Sequence, residues 1–336
     1  MSIKVKTGSN SRILSVGTYR PKRQVPNSEI VDRIESSDEW IQQRTGIETR
    51  RFAGADESVV SMAQAACAMA LSRANLTIAD IDTVIFATIS YEFQAPSAAT
   101  ALIQQMGNPK AAAFDISAAC AGFCYGVAMA KDLISGGTSK NVLVVGSEKL
   151  TDFTDPDDRA TAFIFADGAG AVVIGPAEEP GIGPAIWGSD ADSRDAILLN
   201  PAWTDFKNSP TKGVADLGWP NINQQGQTVF RWAVYSMSKV GLQALEAAGI
   251  TGDQLAAFIP HQANFRIIET MAKEMKLPAS VVIADDIKTN GNTSSASIPL
   301  AMDALLESNP ELSGGLALII GYGAGLVYAG QVVQLP

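Results

Sequence analysis

The sequence predicts an α/β fold of stacked helices and sheets made of two similar halves, and three observations predict it. Helical runs alternate with short, fully apolar strands, the pattern of strands covered on both faces. Residues 70–77 reappear in register as residues 244–251, an offset of 174, and both runs end helices. Residues 142–146 reappear as residues 317–321, an offset of 175, and both read as apolar strands stopped by glycine. Two independent matches at nearly one offset divide the chain into halves 1–175 and 176–336 without an evident flexible linker.

Composition sets the outer bounds. The 336 residues are 46% hydrophobic and 18% charged, which suits a globular protein with a large core and excludes disorder. Met1 to Leu14 carries Lys4, Lys6 and Arg12 but no continuous apolar stretch, and no run elsewhere is long enough for a membrane span. The reading is cytoplasmic, with no membrane partner. A net charge of −10 argues against a general affinity for nucleic acid, whose phosphates need dense positive charge. Cys67, Cys120 and Cys124 are an odd set without zinc-site spacing, so neither a disulfide framework nor a metal is expected.

In chain order, the first repeated helix leads into a buried strand, Asp82 to Thr88, and its counterpart leads into Ala256 to Pro260, with Ile85 and Ile259 again 174 apart. Ala112 to Ile116 reads as a strand and Cys120 to Ile134 as an apolar helix, so Cys120 sits at the turn between them. Helix N-terminal amides stabilise a thiolate, and the expectation is a depressed Cys120 pKa. Cys67 and Cys124 read as small buried hydrophobes. Between Trp187 and Trp219 the chain turns irregular, with Ser209, Pro210, Gly213 and Gly218, in the manner of a surface insertion that helps cover a site.

His261, the only histidine, follows the strand Ala257 to Ile259, where a structural and a chemical role are equally open. From Asn264 to Leu277 a helix places Arg266, Lys273 and Lys276 on one face, opposite Ile267, Ile268, Met271 and Met275. Asn292 lies in the loop Thr289 to Ser297, where asparagine alone reads as a turn or cap residue. The glycine-rich runs Asp167–Gly170 and Gly321–Gly325 lead into strands, whereas a dinucleotide fingerprint opens a helix, so a Rossmann dinucleotide site is not expected. The second run lets backbone N–H groups approach a reacting carbonyl.

Four motifs occur in order: Ser37–Ile41 with Arg44–Ile47; Ala118–Phe123; Pro260–Asn264; and Gly291–Ser294. Together they resemble the β-ketoacyl-acyl carrier protein synthase III family over essentially the whole chain. The resemblance implies a five-layered αβαβα thiolase fold, a homodimer and a catalytic set of Cys120, His261 and Asn292. It implies that Cys120 takes an acyl group from acyl-CoA, with the backbone N–H groups of Cys120 and Ala324 holding the oxyanion. Malonyl-acyl carrier protein then loses CO₂, His261 and Asn292 stabilise the enolate, and the carbanion attacks the acyl-enzyme. No metal or redox cofactor is required.

For acyl-CoA the resemblance implies Trp40 and Arg159 around the adenine, Arg44 near the phosphates, and Gly226, Phe230 and Asn264 along the pantetheine arm. Without the motif, Trp40 would read as core and Arg44 as a surface ion pair. Arg231 with Arg266, Lys273 and Lys276 forms the expected docking stripe for the acidic carrier protein, against the plainer reading of a solvated helix face. Ala95 departs from members that carry a bulky aromatic before this proline, where the partner subunit caps the acyl pocket; primers longer than acetyl are expected. Ala324 replaces the middle glycine of a common triple-glycine run, which bears on oxyanion geometry alone.

Rival readings come from different classes. Cysteine, histidine and asparagine in this order also describe papain-like hydrolases, whose local cysteine motif is missing here. A thiolase-fold acyltransferase or condensing enzyme of secondary metabolism would use a different acceptor. A non-catalytic carrier-binding module would have little use for the complete constellation.

Overall fold

The computed structural model describes residues 7–210 and 217–336; Lys4, Lys6 and Gly213 lie outside the described residues. Two five-stranded sheets form its frame. The first takes β1 (Asn10–Tyr19), β7 (Asp167–Ala177), β6 (Val142–Lys149), β4 (Thr83–Ala87) and β5 (Ala112–Ile116), in that order. The second takes β8 (Ile186–Ser189), β14 (Val327–Gln334), β13 (Leu316–Gly323), β11 (Ala257–Pro260) and β12 (Val282–Ile283). In both sheets the first two pairings are antiparallel and the last two parallel. The repeated apolar runs occupy the same central place, in β6 and β13.

Side-chain alternation explains why these strands are apolar throughout. Val142 and Val144 of β6 face a central core shared with α4 (Gly122–Ser135) and α8 (Ser297–Ser308). Leu143 and Val145 face the opposite way, onto α2 (Val59–Arg73) and α3 (Ala98–Met106). In β13, Ala317 and Ile319 join the same central core, while Leu318 and Ile320 pack on α6 (Gly226–Ala248) and α7 (Phe265–Glu274). The layers therefore run helix, sheet, helix, sheet, helix, which is the αβαβα arrangement.

Two expectations are corrected. Glycine does not stop the central strands: β6 continues past Gly146 to Lys149, and β13 continues past Gly321 to Gly323. The glycines instead mark close approach. A Cβ on Gly146 would lie 2.3 Å from the Ser295 carbonyl oxygen, and one on Gly321 would lie 2.9 Å from Ala121 Cα. The segment around residues 187–219 also contains regular structure, because β9 (Ile197–Asn200) pairs with β10 (Asn221–Gln224) beyond a short helix α5 (Trp203–Asn208). Its tryptophans Trp187, Trp203 and Trp219 remain about half exposed, at 47%, 52% and 47%.

One further helix matters for function. In α1 (Asp38–Thr45), Ser37 Oγ caps the first turn by accepting from the Trp40 N–H at 3.2 Å. Gly46 closes the helix in the left-handed region at φ 80°. Among the described residues, no helix is long and apolar enough to cross a membrane.

Candidate active site

β5 ends at Ile116, a single 3₁₀ turn covers Ala119–Ala121, and α4 begins only at Gly122. Cys120 thus precedes the helix by two residues rather than opening it. Ala119, immediately before it, has φ 44°, a conformation that costs a non-glycine residue about 1–3 kcal/mol and is held by its surroundings. Burial pushes the Cys120 thiol up to about 12, the opposite direction from the expected depression, with its polar surroundings pulling the other way. Cys67 and Cys124 are fully buried, as small hydrophobes should be.

His261 continues from β11, and its backbone N–H donates to the Ile320 carbonyl at 2.7 Å. The side chain is 2% exposed, and burial lowers its pKa to about 3, so the imidazole is neutral. Its Nδ1 lies 2.7 Å from Ser297 Oγ, which also accepts from the Gln262 N–H at 3.3 Å. The hydroxyl keeps a second lone pair and one proton; we assign that proton to Nδ1, which is the one of the two tautomers that frees Nε2–H for a ligand. His261 then carries its proton on Nε2 and acts as a donor.

Asn292 is fixed by its backbone, which donates to Ile164 O and accepts from Ala166 N–H, both at 2.9 Å. Its Oδ1 accepts from the Ser294 N–H at 2.8 Å. That bond leaves the amide Nδ2 protons as the group offered to a ligand. Two neutral donors and a nucleophile thus come together, the combination needed to stabilise developing negative charge on a thioester oxygen.

All three residues line one cavity of about 650 Å³, and so does Ala324. Cys120, His261 and Asn292 form its inner end, while the exposed Arg44, Arg159, Arg231 and Arg266 ring its mouth. Trp40 lines the same mouth, with the Arg44 and Arg159 guanidinium groups 5.4 and 5.5 Å from its ring centroid and Phe163 edge-on at 5.4 Å. Gly226 and Phe230 line the wall, and nothing lies within 4 Å of where a Gly226 Cβ would stand. Ile197 and Ile222 of the β9–β10 hairpin roof the cavity, so the insertion does cover the site.

Residues 114–191 and 245–335 match the N- and C-terminal parts of the 3-oxoacyl-[acyl-carrier-protein (ACP)] synthase III family. The chain is 52% identical over 331 residues to β-ketoacyl-[acyl-carrier-protein] synthase III 1 of Streptomyces coelicolor, covering 97% of this chain and 96% of that one. The chain belongs to the β-ketoacyl-acyl carrier protein synthase III family. A synthase III of Mycobacteroides abscessus is 50% identical, across 98% of this chain and 96% of its own. Among solved structures, the priming β-ketosynthase of the R1128 polyketide pathway superposes with a TM-score of 0.96 at 42% identity, covering 100% of this chain and 99% of that one. The synthase III of Aquifex aeolicus gives a TM-score of 0.87 at 34% identity, covering 97% of this chain and 100% of that one. As a synthase III, the chain is a condensing acyltransferase of thiolase fold.

Within this synthase III, one expected residue falls differently, and two others take places worth stating. Lys276 lies beyond α7, which ends at Glu274, and its φ of 54° takes it off the helical face that carries Arg266 and Lys273. Asn264 caps that helix, accepting from the Arg266 N–H at 2.9 Å and donating to the Arg44 carbonyl at 3.0 Å, so much of its side chain is committed to structure. Ala95 is exposed before a cis Pro96 and does not line the cavity of its own chain. Sequence reasoning missed Ser297, Ser294 and Glu148. The run Thr293–Ser297, with hydroxyls at four of five positions, was the available signal for two of them.

Proposed function

We propose that Cys120 is the residue acylated by acyl-CoA, and that His261 and Asn292 then stabilise the enolate formed when malonyl-acyl carrier protein loses CO₂. The acyl-enzyme and the carbanion combine in a decarboxylative Claisen condensation, giving 3-oxoacyl-acyl carrier protein, CoA and CO₂. The observation that carries this reading is a partly exposed thiol sharing one cavity with two neutral N–H donors, below a mouth of arginines and a tryptophan. Decarboxylation makes the condensation favourable, so the residues need no metal or redox cofactor. The backbone N–H groups of Cys120 and Ala324 are assigned to the oxyanion of the acylation step.

On this reading Trp40 and Arg159 hold the adenine, Arg44 the phosphates, and Gly226, Phe230 and Asn264 flank the pantetheine arm. Arg231, Arg266 and Lys273, with Lys276 beyond the helix end, receive the acidic carrier protein. Arg231 and Arg266 are exposed and border the cavity, so the docking surface adjoins the channel that the carrier's arm must enter. Charge reversal at Arg266 and Lys273 should raise the KM for malonyl-acyl carrier protein about tenfold with acyl-CoA loading unchanged; an unaltered KM places docking elsewhere.

The active form is assigned as a cytoplasmic homodimer. β5 is an edge strand of the first sheet whose side chains Phe114, Asp115 and Ile116 are only half-buried, an unpaired edge suited to a second copy. Sedimentation showing only a 35.3 kDa species would remove the dimer. Residues 1–175 then form the half that bears the nucleophile and residues 176–336 the half that bears His261 and Asn292.

Ala95 in place of a larger residue supports primers longer than acetyl. The test is intact-protein mass after exposure to acetyl-, isobutyryl-, octanoyl- and dodecanoyl-CoA, followed by malonyl-acyl carrier protein. Adducts that discharge as 3-oxoacyl-acyl carrier protein, with longer chains loading at least as fast as acetyl, are expected; a strict acetyl preference overturns the primer assignment. A second reading, priming of a polyketide with another acceptor, rests on the 0.96 TM-score likeness to a polyketide priming ketosynthase. Acyl adducts that persist with malonyl-acyl carrier protein would favour it.

A further inference from the structure

An asparagine amide has two ends, and only one of them helps an enolate to form. Nδ2 turned toward the thioester oxygen donates to the growing negative charge, whereas a half-turn of the amide would put Oδ1 there and repel it. The orientation of Asn292 hangs on one hydrogen bond, from the Ser294 N–H to Oδ1 at 2.8 Å. The direction of that N–H is itself unusual. Ser294 has φ 50°, in the left-handed region that a residue with a Cβ occupies only when its surroundings hold it there.

What holds Ser294 is a carboxylate. Its hydroxyl donates to Glu148 Oε1 at 3.1 Å. Ser295 Oγ lies 3.0 Å from the same oxygen and 2.8 Å from the Ala87 carbonyl, with one proton for the two. On its other oxygen, Oε2, Glu148 accepts from Ser90 Oγ at 2.6 Å, Thr88 Oγ1 at 3.1 Å and the Ile89 N–H at 3.1 Å. The Ile89 amide has a fixed direction, and the two hydroxyls are turned by accepting backbone N–H groups, Ser90 Oγ from Lys149 and Thr88 Oγ1 from Ser90. Oε2 is therefore anchored, and Oε1 is held toward the loop that carries Asn292.

Glu148 is fully buried one residue before the end of β6, and no cation lies within ion-pair distance of it among the described residues. A carboxylate in such a place is weak evidence for stability, since an apolar side chain of similar size would fill the space without losing hydration. Its partners point to the site instead. They come from two loops, 88–90 after β4 and 294–295, and these loops line the cavity through Ile89, Asn292 and Ser294.

We propose that Glu148 is a positioning residue that sets which end of the Asn292 amide faces the substrate, acting through the side chain and then the backbone N–H of Ser294. The inference rests on the reading that Asn292 stabilises the enolate. Glu148 touches no substrate atom, and no bond to it forms or breaks in the reaction. It keeps Ser294 in the left-handed conformation, the Ser294 N–H keeps Oδ1, and Nδ2 is left to meet the malonyl thioester oxygen.

Without the tether, Ser294 relaxes toward an ordinary φ, its N–H turns away, and the amide is free to present either end. The loss falls on decarboxylation. Transfer of the acyl group to Cys120 is spared, because the oxyanion of that step is assigned to the backbone N–H groups of Cys120 and Ala324 rather than to Asn292.

The test measures kcat and KM for malonyl-acyl carrier protein decarboxylation, and the rate of Cys120 acylation by acetyl-CoA, for wild type, Asn292→Ala, Ser294→Ala, Glu148→Ala and Glu148→Gln. Ser294→Ala and Glu148→Ala are repeated in the Asn292→Ala background. Ser294→Ala removes the tether and keeps the N–H, so kcat should fall about tenfold, with KM within about twofold and acylation within about threefold of wild type. Glu148→Ala should lose at least as much. Glu148→Gln should recover most of kcat, because its amide oxygen can take the donors at Oε2 while its NH2 donates to the Ser294 and Ser295 oxygens. In the Asn292→Ala background neither substitution should lower kcat by more than about twofold, since no amide is left to turn. Ser294→Ala decarboxylating at the wild-type rate overturns the proposal. So does a loss shared equally by acylation, or one that persists in full without Asn292, either of which marks a structural role. If Glu148→Ala does not fold, Ser294→Ala and its double variant decide. Asn292→Ala at the wild-type rate removes the parent reading and this one together; a slow Asn292→Ala beside an unchanged Ser294→Ala removes this one alone.

Discussion

Cys120→Ala should form no acyl adduct with any acyl-CoA, while keeping a measurable ability to decarboxylate malonyl-acyl carrier protein. The loss is total because the sulfur is the bonding atom, and no neighbouring side chain can replace it. Decarboxylation survives because its two donors come from elsewhere: Nε2–H of an imidazole fixed by Ser297 and the amide of Asn292, whose Oδ1 is occupied by Ser294. Removing a thiol from a partly exposed position at the cavity's inner end should leave the fold intact. Adduct mass and CO₂ release on the same preparation check both halves; an adduct on the variant would move the nucleophile to another residue.

His261→Ala should divide the reaction the other way. Loss of one preorganised donor from a buried oxyanion site costs about 10²–10³-fold, or about 3–4 kcal/mol. Decarboxylation should fall by that amount, with Cys120 acylation within about tenfold of wild type. The pH behaviour follows from the sign of the histidine shift. Burial lowers the His261 pKa to about 3, so the neutral donor persists above that value and does not titrate between pH 5 and 8. The wild-type decarboxylation rate should therefore be flat over this window, measured with labelled malonyl-acyl carrier protein. A rise toward acid would mean that imidazolium is the working form, and equal decarboxylation by the variant would remove His261 from this step.

Much of the architecture was legible because strands buried on two faces must be apolar at every position, and that run leaves a signature that survives duplication. The pairs Val144 and Ile319, and Val145 and Ile320, alternate across their sheets as the repeated pattern required. Cys120 was legible for a related reason, since a cysteine between an apolar strand and an apolar helix sits at a sheet's end. What the sequence does not show depends on sums over three dimensions. A helix terminus and burial act on the Cys120 thiol with opposite signs, and the burial is visible only once the cavity is packed. Lys276 continues the amphipathic spacing, but the left-handed turn that ends α7 is set by how Leu277 and its neighbours dock. Ala95 bears on a surface of its own chain, so no single chain shows what it lines.

Glu148 was invisible for a different reason. One acidic residue after an apolar strand looks like the strand's exit into water, whereas three hydroxyls and an amide from two separate loops, with a fourth hydroxyl beside them, have gathered around it inside the protein. Ser297 is similar: at the first turn of a helix it reads as a cap, and only folding places it against the imidazole.

Gly146 and Gly321 change how genetic data on this protein should be understood. Each holds a place where a loop bearing reactive groups rests directly on a sheet, with no room for a methyl group between them. A library scored only for surviving activity would rank these two positions beside the sulfur and the imidazole, although neither meets a substrate. Intolerance to substitution here maps the seating of the machinery as faithfully as the machinery itself. A purified, folded variant with an altered site is what tells one from the other.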